Sequence, residues 1–166
     1  PIESAWVQAD TDILDVQMWS FSADHPGGKR INEIERVYAK AIADLTAARV
    51  EFLVGDRYYL KQMEAKKGNL VLGEFNFQTL VLPAIDILPL ETARKIVDFA
   101  KSGGRVYALA GLPSASAEKG MGDSRMKDLM ATLRSQPTFR ACPEEGLKPL
   151  LDRPAAGLAR PAFRMY

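Results

Sequence analysis

Apolar positions along the chain fall into stretches with a definite period. Ile31, Ile34, Val37, Tyr38, Ala41, Ile42 and Leu45 recur at the i, i+3, i+4 spacing of one helical stripe. Glu33, Glu35, Arg36, Lys40, Asp44 and Arg49 take the opposite face. Asn32 reads as the N-cap of this helix, with Glu35 three residues on as in a capping box. Burying the large side chains of the stripe is worth on the order of 10 kcal/mol before entropy. Such a helix must therefore lie on an apolar surface, most simply a sheet. His25-Pro26-Gly27-Gly28, just ahead of it, reads as a loop.

Val50–Val54 then reads as a strand ended by Gly55-Asp56, and residues 58–66 as a short helix with Tyr59, Leu60 and Met63 on one face. Lys67-Gly68-Asn69 is a turn, and Asn69–Phe77 alternates loosely, as in a hairpin. Thr79-Leu80-Val81-Leu82-Pro83 is a continuous apolar run, the pattern of a parallel strand buried on both faces. A helix follows over about 90–101, with Ala93, Ile96, Val97 and Ala100 inward. Ser102-Gly103-Gly104 stops it, because glycine takes the left-handed position after a helix without a Cβ penalty. Arg105–Gly111 is the next strand. Strand, helix and strand in this order form a βαβ unit, so the two strands are expected to be parallel neighbours. After a small-residue loop, Asp123 or Ser124 caps a helix carrying Met126, Leu129, Met130 and Leu133 on one face.

The two ends are less regular. Residues 1–30 show no clean period, and they predict a long surface excursion with one short strand or turn near 14–19. Pro1-Ile2 reads as the tail of a strand that should precede the first helix, its body missing from the chain. From Gln136 onward repeated prolines predict only a short strand near Phe139 and a short helix near 144–151. The expected organisation is an α/β domain over 1–135, with a Pro/Arg-rich extension or linker over 136–166. The expected fold is a three-layer, mostly parallel, flavodoxin-like or amidotransferase-like sheet with helices on both faces.

The 166 residues fit one such domain, able to bury about two thirds of its unfolded surface without a disulfide or metal. The net charge of +1, from 22 basic and 21 acidic residues, argues against a nucleic-acid footprint. No stretch approaches the roughly 20 apolar residues of a membrane span, and the chain opens without the features of a signal peptide.

The chemistry-bearing residue types are sparse. A Ser-His-Asp or Cys-His site needs a base beside its nucleophile. The one histidine, His25, stands in the Pro-Gly-Gly stretch and reads as a solvated loop residue. The one cysteine, Cys142, precedes a proline and reads as an inert thiol. One His and one Cys cannot supply a zinc site, and Asp10, Asp12 and Asp15 read as surface acids. Gly103-Gly104 lies at a helix end, where the dipole disfavours anions. The loop over 111–122 lacks both phosphate-binding glycine motifs. No catalytic residue, metal site or cofactor is expected.

In open α/β sheets ligands sit beyond the carboxyl ends of the strands. That edge is expected to carry Glu3, Ser4, Asp56, Arg57, Ile85, Asp86 and the run Ser114-Ala115-Ser116. Trp6 would be a platform for a sugar ring, since an indole face matches the CH side of a pyranose. Packing of Trp6, Trp19 and Phe21 onto the domain or a neighbour is the simpler reading of these aromatics.

With these residues in view, the chain resembles the class I glutamine-amidotransferase-like domains inside large glycoside hydrolases. It is most similar to the corresponding region of the family 106, α-L-rhamnosidase type, and more distantly to the family 42 β-galactosidase trimerisation domain. The matching residues are Pro1-Ile2-Glu3-Ser4-Ala5-Trp6, Phe52–Asp56, Thr79–Pro83, Leu88-Pro89 with the helix after it, Ser102–Val106 and Leu112-Pro113. They span roughly residues 1–135. The resemblance implies an accessory domain beside a TIM-barrel catalytic domain in a periplasmic or secreted enzyme acting on polysaccharide. The catalytic carboxylates would lie on the barrel. True amidotransferases carry a Cys-His-Glu triad that this sequence lacks. The expected function is thus a non-catalytic structural or interface domain of a multidomain glycoside hydrolase. The alternatives are a carbohydrate-binding module on the carboxyl edge of the sheet, or a small stand-alone enzyme or flavodoxin-like carrier, which would need a phosphate loop.

Overall fold

A computed structural model describes residues 4–8, 26–142 and 146–151. Five strands form a wholly parallel sheet: β1 (Ser4–Gln8), β2 (Glu51–Gly55), β6 (Thr79–Pro83), β8 (Arg105–Leu109) and β11 (Phe139–Cys142). Their spatial order is β11-β8-β6-β1-β2. Counted along the chain within this sheet, that is the 2-1-3-4-5 order of flavodoxin-like folds.

Helices α1 (Pro26–Ala47), α2 (Arg57–Gln62), α3 (Leu90–Lys101), α4 (Ser124–Arg134) and α5 (Lys148–Leu151) flank the sheet. Alternate residues of the same strands feed two apolar clusters, because successive side chains on a strand point to opposite faces. Trp6, Leu80, Leu82, Val106 and Ala108 join Leu60 of α2, Ile96 and Phe99 of α3, and Met126 and Leu133 of α4. Ala5, Val7, Val81 and Leu109 join Val37, Ala41 and Leu45 of α1 and Leu151 of α5. Every residue of β6 is buried, as its unbroken apolar run predicts. Each large apolar side chain in these clusters contributes roughly 1.5–3 kcal/mol through burial.

Two small sheets complete the architecture. β3 (Glu64–Lys66), β4 (Asn69–Leu72) and β5 (Phe75–Phe77) form an antiparallel meander. β7 (Ile87–Leu88), β9 (Ala115–Ser116) and β10 (Gly120–Met121) form a three-stranded patch beside the carboxyl edge of the main sheet.

The unit β6–α3–β8 matches the expected βαβ crossover, with parallel pairing from Thr79↔Arg105 to Pro83↔Leu109. Gly103, at φ 101°, is the left-handed residue that ends α3, and Gly104 N donates to Phe99 O at 3.0 Å. Asp123 caps α4, its side chain accepting from Arg125 N.

Other readings are corrected. The strand preceding the first helix is Ser4–Gln8, within the stretch read as irregular and not ending at Ile2. Its five residues carry no alternation because both of its faces are covered, four of the five being buried. The helix begins at Pro26, so Asn32 lies inside it and not at its N-cap position. Proline suits a first helical position, where its missing N–H has no partner to lose. Glu64–Lys66, read as helix, is a strand. Phe139–Cys142, read as part of the extension, pairs along its whole length with β8, so the sheet runs past residue 135. Residues 9–25 and 152–166, including Asp10, Asp12, Asp15, Trp19, Phe21 and His25, lie outside the described residues, as do residues 1–3.

Candidate functional site

The strand order reverses between β1 and β6, which makes the crevice beyond their carboxyl ends the default binding position for this class of sheet. β1 ends there in Gln8, a residue that sequence patterning missed because its whole strand was missed. Gln8 is fully buried; its Oε1 accepts from Trp6 Nε1 at 3.0 Å. Its Nε2 has no hydrogen-bond partner among the described residues. β6 and β8 both leave the sheet through alanines in the left-handed region, Ala84 at φ 39° and Ala110 at φ 54°. Ala84 N is held by Leu109 O at 2.9 Å.

The residues singled out from the sequence do not converge on this crevice. Ser4 lies at the amino end of β1, not the carboxyl edge, and its Oγ donates to Asn76 O at 3.1 Å. Trp6 is 2% exposed and packs 5.6 Å from Phe77, so it offers no ring face to a sugar. Its burial follows from a position in the middle of a central strand. Ser116 is buried and donates to Asp123. Asp86 accepts through its main-chain carbonyl from Ser114 N and Ala115 N, holding β9 in place. Ser114 is exposed and borders a cleft of about 370 Å³ together with Asp123, Lys127 and Arg134. Glu3 lies outside the described residues.

Asp56 and Arg57 do reach a cleft. As β2 ends, the Asp56 carboxylate accepts from Tyr58 N at 2.9 Å and Tyr59 N at 3.4 Å, which starts α2. The cap aims Leu60 into the core and leaves Arg57, Tyr58 and Lys61 on the outer side, facing α3. The cleft between the two helices measures about 180 Å³. The Arg57 guanidinium sits 4.8 Å above the Tyr58 ring, and Nη2 donates to Tyr58 Oη at 3.3 Å. On the facing side Glu91 pairs with Lys61 at 3.3 Å, and Lys95 Nζ donates to Met63 O at 2.7 Å. Thr92 completes the lining. Patterning did not point to Tyr58, Lys61, Glu91 or Lys95, because they are ordinary solvent-side positions of two separate helices. The signal within reach was a cap at Asp56 followed at once by Arg-Tyr-Tyr.

Asp44, Asp56, Glu118 and Asp123 are tied to the backbone. Glu118 accepts from Leu90 N at 2.9 Å, closing the start of α3, which has no side-chain cap of its own. Asp123 accepts from Arg125 N, Nε and Nη2. The guanidinium and the Ser116 hydroxyl hold its carboxyl well below the usual carboxylate range. Burial pushes the Cys142 thiol up to about 11, so it is protonated at neutral pH. Among the described residues no group of three His, Cys, Asp or Glu side chains could hold a metal ion, and no helix is long and apolar enough to cross a membrane.

The fold and this site define an α/β domain with a five-stranded parallel sheet in flavodoxin-like order and a small cationic cleft beside its carboxyl edge. Comparison with protein-family models, curated proteins and solved structures finds no match for the chain.

Proposed function

We propose that this chain is a non-catalytic structural or interface domain of a multidomain glycoside hydrolase of the α-L-rhamnosidase-like type. In this reading the sheet is the middle of three layers, and the partner is a TIM-barrel catalytic domain of the same parent acting on polysaccharide. The observation that carries the interface role is the outer edge of β2. Among the described residues no strand pairs with it. Leu53 and Val54 on it are 40% and 43% exposed. Leu53 stands opposite Trp6 in the sheet, and beyond Trp6 the same aromatic row continues through Phe77 to the exposed Phe75. An edge that is apolar and lacks inward charges or proline is a template for association unless another surface covers it. Asp56, Glu118, Asp123 and Asp44 each accept from backbone amides at a helix start, which fits a scaffold role.

Hydrogen exchange on the isolated chain and on the parent protein tests this. Amides of Glu51–Gly55 should exchange at least tenfold more slowly in the parent. Equal exchange in both, or turnover of aryl rhamnosides or galactosides by the purified chain alone, overturns the reading. A second reading, a carbohydrate-binding module on the carboxyl edge, is favoured by one observation, the Arg57–Tyr58 cleft.

A further inference from the structure

Helix α4 contributes Lys127, Ala131 and Arg134, a stripe at the i, i+4, i+7 spacing, to the cleft of about 370 Å³ beside the loop that leaves β8. Leu112 and Pro113 from the loop and Met130 from the helix give the same cleft an apolar lining. Met121, 76% exposed, stands beside it, where Ser114 Oγ donates to its Sδ at 3.7 Å. An exposed methionine is an adaptable apolar contact. The two cations are not engaged within the chain: among the described residues no hydrogen bond or ion pair holds the Lys127 or Arg134 side chain. The carboxylate in the lining, Asp123, is buried and already bonded by Arg125 and Ser116. A surplus of positive charge on the walls concentrates negative groups.

The form of the cleft narrows the class of ligand. Ser114, Lys127, Ala131 and Arg134 are all exposed, so it is an open trough, unlike the sites that bury most of a small molecule. Its lining holds no aromatic ring, the platform on which bases and sugar rings stack. Lys127 and Arg134 lie about 10 Å apart along the helix axis, with the small Ala131 between them. An extended chain turns residues i, i+2 and i+4 to one side, the outer two about 13 Å apart. The long lysine and arginine arms cover the difference. We propose that this trough docks an extended acidic peptide segment of a partner, with acids at i and i+4 on Lys127 and Arg134 and an apolar side chain at i+2 against Ala131 and Leu112. In the sheet, β6 and β1 separate β8 from β2, so this surface is independent of the β2 interface and goes beyond it.

Titration of the whole chain with the probe peptide acetyl-Glu-Ser-Leu-Ser-Glu-amide at low salt, followed through backbone amide shifts, tests it. The peptide should give saturable shifts confined to the segments 111–123 and 126–135. Lys127→Gln and Arg134→Gln should each weaken it about threefold, the size expected of exposed ion pairs, and a peptide with Gln in place of both Glu should bind about tenfold more weakly. A peptide with Ser in place of Leu should also bind more weakly. Ala131→Glu sets a carboxylate one helical turn from each cation, so it should weaken the peptide at least tenfold while the thermal midpoint does not fall. The absence of saturable shifts, equal binding of the Gln peptide, or an unchanged affinity in Lys127→Gln and Arg134→Gln overturns the proposal. Equal binding of the Ser peptide overturns the apolar contact. Tighter binding of oligothymidylate at the same segments makes the surface a nucleic-acid site and overturns the peptide assignment.

Discussion

The six-membered ring of Trp6 occupies the space that a side chain at Gly55 would need, so the edge strand β2 can lie flat beside β1 only with glycine at its end. Trp6 is held by its hydrogen bond to Gln8 and its contact with the Phe77 ring. Gly55→Ala is therefore expected to destabilise the fold by about 1–3 kcal/mol through overpacking. A lowered urea midpoint at constant slope would show it; an unchanged midpoint would mean that the indole has room to shift.

Asp44 ties the end of the described chain to the first long helix. Its Oδ2 accepts from Leu147 N at 2.8 Å and Lys148 N at 3.2 Å, while Lys40 donates to Oδ1 at 3.0 Å. A Cβ at Gly146 would strike the same oxygen. Asp44→Ala leaves two amides without their acceptor and is expected to lose about 1–3 kcal/mol. Hydrogen exchange at Leu147 and Lys148 should accelerate while exchange in β6 keeps its order of protection.

Acid should weaken the fold partly through Asp123. Its carboxyl is held below the ordinary aspartate value by Arg125 and Ser116. The unfolded state therefore takes up the proton first as pH falls. The contribution is fully present above about pH 5 and is lost progressively as pH drops through about 4 and below. Asp123→Asn keeps a capping side chain but not the charge. Its stability should fall at pH 7 and depend less steeply on pH below 5, as read from denaturation midpoints at a series of pH values.

Alkali should act on Cys142 in the opposite sense. A thiol pushed up to about 11 by burial is favoured as the neutral form in the folded state. Its contribution is complete below about pH 8.5, where the unfolded thiol begins to ionise, and is lost as pH rises towards 11. At pH 7 an aromatic disulfide reagent should modify the folded protein about a hundredfold more slowly than the urea-unfolded chain, in proportion to the thiolate fraction. Equal rates would show that the sulfur is open to solvent.

Patterning read the middle of the chain well. β6, α3, Gly103 and β8 form a local unit whose periodicity, stop signal and buried run all point the same way. It missed β1, and it placed a short strand near Phe139 but outside the domain. Ser4–Gln8 and Phe139–Cys142 are short and non-periodic, and each pairs with strands distant along the chain. Trp6 looked like a surface platform because nothing local to it says that strands close on both of its sides.

The sequence alone determined the α/β class, the central crossover and the scarcity of nucleophile and base side chains, since these depend on local spacing and on which residue types exist at all. Only the tertiary structure decided that Trp6 is core, that Ser4 and Ser114 lie apart, and that Arg57 and Tyr58 meet Glu91 and Lys95 across a cleft. Those relations come from the order in which distant strands pair, and pairing order is set by burial summed over the whole sheet.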